Sequence, residues 1–244
     1  MGNSNSAELE SPLQAPPGPT QALDGSVIAQ HHTSLHVKAS TMQSRATVTD
    51  LGTNKTIANF KSKMFSSRVT METPQGQIVA SIKNSKLSSK HRIFQGGQTD
   101  QQTFMINDVS GIFKTMVLVA EFTDRTTGTP CRLIAKGSPG AKVVLCYLEC
   151  GSPALSQLQD GDDFLQNQGL YQRVGRIRRK SRKRYFGGDD YFIEATPGVD
   201  LTLLLLIWHV RHVRLLVERA VAGTLDTCLL TVNFLSEFDL NTSD

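Results

Sequence analysis

The stretch "GVDLTLLLLIWHVRHVRLL", residues 198–216, constrains this chain more than any other. A helical run that is apolar on every face must be hidden, either in a bilayer or inside protein. Leu201 to Trp208 is such a run, interrupted only by Thr202. Crossing a membrane takes about 20 predominantly apolar residues. Here His209, Arg211, His212 and Arg214 follow at once, so the run is too short to span. A protein shell is required instead. Pro197 suits the first turn of the helix and Asp200 its positive N-terminal end. The pattern predicts a central helix over about 197–219, roughly 31 Å long. Leu203 to Ile207 are expected to be enclosed. From Arg211 onward the helix is expected to emerge, with Arg211, Arg214 and Glu218 in water or paired.

The shell has to come from the residues before the helix. Residues 1–32 are rich in Ser, Pro, Gln and Gly and show no period, so they read as a disordered N-terminal tail. From about Leu35, short β-branched and aromatic runs recur between Gly, Asn, Asp and Pro. "TDLGTNKTIANFK" (49–61), "METPQGQIVASIK" (71–83) and "TDRTTGTPCRLIAK" (123–136) each go from a turn through Gly to an apolar strand and then Lys. They read as successive hairpins of one sheet. Further strands are expected at 34–39, 102–107, 113–122, 142–150, 171–177 and 190–196. About ten strands with almost no helical period before residue 197 argue for a barrel or sandwich. After the helix, Cys228, Leu230, Val232 and Phe234 alternate with more polar neighbours. Residues 221–244 therefore form a C-terminal extension with an extra strand expected over 228–235.

The hairpins "VTDLGTNKTIANFK" and "TMETPQGQIVASIK", the strand "VGRIRRKSRKRYFGGDDYFIEATPG" and the helix opening "GVDLTLLLLIW" together resemble the tubby C-terminal-like superfamily. The closest likeness is to LURP-one-related proteins, over roughly residues 33–217. The resemblance implies a mainly β fold: a closed antiparallel barrel of about twelve strands around one central buried hydrophobic helix. On that basis the domain is expected over 33–220. The resemblance also implies phosphoinositide binding, as in tubby proteins, or a scramblase-like fold, or a part in plant defence. It brings no enzymatic site and no cofactor.

The charge is concentrated in one place. The chain of 244 residues has a net charge of +4, yet Arg173, Arg176, Arg178, Arg179, Lys180, Arg182, Lys183 and Arg184 stand within one short segment. Without those eight, 18 basic residues face 22 acidic ones, a net of −4. A local anionic partner is the reading that follows. Strand alternation would turn Arg178, Lys180, Arg182 and Arg184 to one side and Arg179 and Lys183 to the other. Since a barrel interior does not accept unpaired charges, the run is expected at a loop tip or beyond the barrel end. The candidate anion-binding residues are Arg176, Arg178, Arg179, Lys180, Arg182, Lys183 and Arg184. A second signal stands at the start: "MGNSNS" fits the acylation pattern M-G-x-x-x-[ST], with Gly2 as acceptor. One acyl chain holds a membrane only marginally, and so does one basic patch, so the two complement each other.

Other motifs resolve to ordinary roles. His31, His32 and His36 read as a solvated cluster and not a metal site. Cys146 and Cys150 would lie roughly 13 Å apart along a strand, too far for a shared metal, and read as small apolar side chains. With no apolar leader, a reducing interior with free thiols is the expectation. "DGDDF" (160–164) and "GGDD" (187–190) lack the Glu a calcium loop needs and read as turn carboxylates. There is no nucleophile elbow, zinc-protease motif or phosphate-binding loop, so no catalytic residue is assigned.

The expected function is a non-enzymatic, monomeric interaction module. It would sit in the cytoplasm at the inner face of the plasma membrane and bind anionic phospholipid headgroups, in signalling or defence. The alternatives are a nuclear protein that uses "RRKSRKR" for import or nucleic acid, and a scramblase-like protein whose helix enters the bilayer.

Overall fold

The computed structural model describes residues 12–40, 45–62, 68–84, 89–97, 100–109, 115–137, 142–151, 171–180 and 189–221. Among the described residues, twelve strands precede one helix. They are β1 (Thr33–Ser40), β2 (Arg45–Asp50), β3 (Lys55–Ser62), β4 (Arg68–Glu72), β5 (Ile78–Asn84) and β6 (Lys90–Gln95). Then come β7 (Gln102–Asp108), β8 (Met116–Thr123), β9 (Pro130–Gly137), β10 (Val143–Cys150), β11 (Gln172–Arg179) and β12 (Asp189–Ala195). The helix, α1, is Leu201–Val221. Each strand pairs antiparallel with the next, and β1 closes the ring on β12 from Thr33↔Ala195 to Ala39↔Asp189. Closure leaves no edge unpaired among the described strands.

Side-chain alternation decides what faces inward. On β1, Leu35, Val37 and Ala39 are buried while His36 and Lys38 face out. Many inward positions are small: Ala46, Ala58, Ala80, Ala120, Ala135 and Ala195. Eight strands make a barrel that its own side chains fill. Twelve strands lined with alanine leave a bore for a helix, and Leu201 to Val210 occupy it, all at 3 % exposure or less except His209. One close approach is at Gly175 on β11, where an added Cβ would stand 3.2 Å from both Leu204 methyls. The enclosure expected for Leu203 to Ile207 is therefore what the fold provides. Among the described residues no helix is long and apolar enough to cross a membrane.

Three expectations are corrected. First, β2, β4 and β6 were not given as strands of their own; in β6, Lys90, His91 and Arg92 open the strand and hide its two core residues, Ile93 and Phe94. Second, residues 12–32 are not a loose tail. They form a strap across the barrel end where α1 begins. Thr20 N donates to Gly198 O, Ala29 N to Val199 O and Leu201 N to Val27 O. Ala22 and Leu23 are 1 % and 0 % exposed within the main core. The four buried residues of this Pro- and Gly-rich segment, Thr20, Ala22, Leu23 and Ala29, have no period to betray them. Third, Cys150 is not a lone apolar side chain. It faces Cys131 directly in the β9–β10 register, with Cα atoms 4.2 Å apart, and the two form a disulfide. Among the described residues Cys146 is a free, buried cysteine. The expected strand at 228–235 lies outside the described residues.

Candidate anion-facing site

β11 carries the first half of the basic run as part of the barrel wall. This corrects the expectation of a loop tip. The wall accepts the charges because they face outward or find partners. Arg176 lies opposite Glu194 in the β11–β12 register, and its Nη1 donates to Glu194 Oε2 at 3.2 Å. It is only 7 % exposed, so this guanidinium is committed to the wall. Arg178, two residues on, is 45 % exposed and 3.8 Å from the same Glu194 oxygen. An exposed pair at that range contributes little and leaves Arg178 available. Lys180 is also exposed, while its backbone N–H donates to Asp190 O.

Arg179 points the other way, as alternation predicts. It stands opposite Tyr191, an inward residue, and its buried Nη1 has no hydrogen-bond partner among the described residues. Of the seven candidates, Arg178 and Lys180 thus present charge to the exterior. Arg176 is held by Glu194 and Arg179 turns to the barrel mouth. Arg182, Lys183 and Arg184, together with Gly2, lie outside the described residues.

The barrel mouth behind Arg179 holds a polar cluster that the sequence did not suggest. Arg211 lies over the Tyr191 ring, its guanidinium carbon 5.3 Å from the centroid. It is 3 % exposed, so it has not emerged as expected; the aromatic face substitutes for water. Burial lowers its pKa, the neighbouring Tyr191 raises it and the Arg179 guanidinium lowers it. Tyr191 Oη is 2.9 Å from His212 Nδ1, and the His212 ring stacks on Trp208. His209 stacks on Phe60 with centroids 5.3 Å apart. Burial pushes His209 down to about 3, helped by His212 and His91, so it is neutral at pH 7. Arg214 meets the expectation of pairing: it binds Asp108 on β7 and Glu218 one turn ahead.

The remaining motifs fall into place around this. His36 contacts Asp190 at 3.1 Å on the outer face and stacks on Phe192. Asp189 is 3 % exposed. Residues 160–164 lie outside the described residues. Among the described residues no group of three or more His, Cys, Asp or Glu is placed to hold a metal. Burial pushes the Cys146 thiol up to about 12, which keeps it protonated and unreactive. A polar cleft of about 510 Å³ opens at the opposite end, beside the strap, between Asp24, Gln95, Gln102 and Arg125.

A closed twelve-stranded antiparallel barrel around one buried apolar helix is the architecture expected of the tubby C-terminal-like class. Within that class the chain belongs to the LURP-one-related family, which it matches over residues 33–210. The match takes in every strand and the enclosed half of α1. It leaves out the strap and the helix beyond Val210. No curated protein and no solved structure compared with the chain gives a match.

Proposed function

We propose that this LURP-one-related protein is a non-enzymatic interaction module that docks on anionic phospholipid, phosphoinositides included, in signalling or defence. The observation that carries the reading is the outward display of Arg178 on β11 and Lys180 just after it, in a chain whose charge is otherwise net negative. Each basic residue near an anionic surface is worth about 1 kcal/mol. The sequence continues with Arg182, Lys183 and Arg184, so the run has the charge for weak docking.

Acylation at Gly2 would supply the second signal. Gln14 N is bonded to Arg173 O. The chain back to Gly2 spans at most roughly 40 Å when extended. The helix is roughly 31 Å long. An acyl group on Gly2 therefore has the reach to meet either end of the barrel. The scramblase-like alternative loses its main support, since the helix it would send into the bilayer is enclosed by strands.

Co-sedimentation of the acylated protein with neutral and anionic vesicles tests the proposal. Binding is expected to anionic vesicles, falling with salt and on Arg178→Gln/Lys180→Gln. Equal binding to both vesicle types, or no loss on neutralising the run, overturns it. Localisation of a tagged protein with Gly2→Ala and with the run neutralised separates membrane from nuclear targeting.

A further inference from the structure

The topology sorts charge between the two ends of the barrel. The β1–β2, β3–β4, β5–β6, β7–β8, β9–β10 and β11–β12 connections all open onto the end where α1 leaves, here termed the upper end. Arg45, Lys83, Lys90, Arg92, Lys142 and Lys180 are exposed at or near the strand ends there. They come from five stretches of the chain; Lys83 and Arg92 face each other in the β5–β6 register, and the Lys142 carbonyl accepts the Arg179 N–H. The described carboxylates at the same end are withdrawn. Asp108 and Glu218 bind Arg214, Asp190 contacts His36 and Asp189 is buried. The lower end is mixed: Asp24, Asp50, Asp100 and Asp124 stand there with Lys55 and Arg125.

The sequence that joins the upper strand ends continues the bias. Residues 41–44, 63–67, 85–88, 110–114, 138–141 and 181–188 contain no Asp or Glu and six Lys or Arg. Apolar residues stand among these bases, among them Phe65, Leu87, Phe113 and Phe186. Val109 at this end is 54 % exposed. Basic residues interleaved with apolar ones suit a lipid interface, where the bases meet headgroups and the apolar groups meet acyl chains. A nucleic acid would select bases and hydrogen-bonding groups along a groove.

We infer that the surface meeting the membrane is the whole upper rim, with the barrel axis and α1 upright on the bilayer, and not β11 alone. This rests on the anionic-membrane reading above and adds the face and orientation. A ring of strand ends roughly 25 Å across meets a flat anionic surface at several points at once.

The test uses the unacylated full chain with phosphatidylcholine vesicles, with and without phosphatidylserine. Each charge removed from the contact is expected to cut partitioning about fivefold. Arg45→Gln/Lys83→Gln/Arg92→Gln, on β2, β5 and β6 and away from β11, then loses about 100-fold. Lys55→Gln/Arg125→Gln at the lower end leaves binding unchanged. In a Cys228→Ser background, an environment-sensitive label on Val109→Cys shifts to the blue with anionic vesicles, and one on Val27→Cys does not. If Arg178→Gln/Lys180→Gln weakens binding but the triple variant does not, the docking reading stands and the rim inference fails. If the wild type ignores anionic vesicles, both fail. Tighter binding to duplex DNA than to anionic vesicles at the same salt also overturns the rim as a lipid surface.

Discussion

The Asp200 carboxylate accepts the backbone N–H of Ala22 at 2.9 Å, joining positions 178 residues apart. Its other oxygen accepts Leu203 N at 3.1 Å and so caps α1. One side chain therefore fixes both where the helix starts and where the strap lies. It is fully buried, and burial pushes its pKa up to about 6 although Ala22, Ser26, Leu203 and Thr202 all hydrogen-bond to the anion.

That shift has a direction in pH. Folded Asp200 keeps its proton up to about pH 6, against an ordinary value of 3.8. Between those values the folded state binds more protons than the unfolded chain. The group's favourable contribution is complete below 3.8 and is lost as pH rises through 6. Asp200→Asn cannot titrate. Urea midpoints from pH 4 to 7 should show wild-type stability falling relative to Asp200→Asn as pH rises, with the gap level above about 6.5. Parallel profiles would contradict this account.

The strap makes a second expectation. Leu23 is 0 % exposed and Val27 is 46 % exposed, four residues apart on the same segment. Leu23→Ala should destabilise the protein by about 2–5 kcal/mol, as for a core leucine. Val27→Ala should stay within about 0.5 kcal/mol of wild type. Chemical denaturation of the two variants decides it. A flexible tail would give the same small effect at both sites.

How much of this was legible in the sequence depended on whether a pattern had a period. The helix declared its burial because Leu201 to Trp208 is apolar all round, and no exposed helix sustains that. Most strands were visible through alternation and turn residues: Asn54 and Gly76 hold positive φ in the turns after β2 and β4. β6 was not visible because three of its six residues are basic or His. The strap was not visible because its buried residues, Thr20, Ala22, Leu23 and Ala29, follow no period. At the candidate site, alternation placed Arg178 and Arg179 on opposite sides correctly. It did not show that Arg176 would meet Glu194, because that pairing depends on the β11–β12 register. Nor did it show Arg211 staying inside, because the ring that receives it is on another strand. The rim escaped for the same reason: its bases converge only through topology.

The Cys131–Cys150 disulfide closes a loop with a sequence separation of 19. In the chain-entropy description a loop of this size stabilises by about 3 kcal/mol. Cys131→Ala/Cys150→Ala should lower the urea midpoint accordingly, and reduction should do the same to the wild type. Non-reducing peptide mapping should recover residues 131 and 150 in one linked peptide pair. Cys146 should resist alkylation in the folded protein and react on unfolding, since its thiol is buried and its pKa is about 12. Free alkylation of Cys150 without reductant would rule the cross-link out.

The seating of the helix is set by a single missing side chain. Gly175 faces Leu204, and a Cβ there would meet Leu204 Cδ1, Leu204 Cδ2 and Glu194 O, each at 3.2 Å. The leucine methyls are flexible, but Leu204 is itself 0 % exposed and has little room to retreat. Overpacking of this kind costs about 1–3 kcal/mol, so Gly175→Ala should sit at the low end and Gly175→Val above it. Leu204→Ala alone should cost about 2–5 kcal/mol by leaving a cavity. Combined, Gly175→Val fills part of the space that Leu204→Ala opens. The double variant should therefore be more stable than the sum of the two losses, by about 0.5–3 kcal/mol of coupling. Strict additivity in a double-mutant cycle would mean that the two positions do not pack against each other, and that α1 does not run through the barrel past β11.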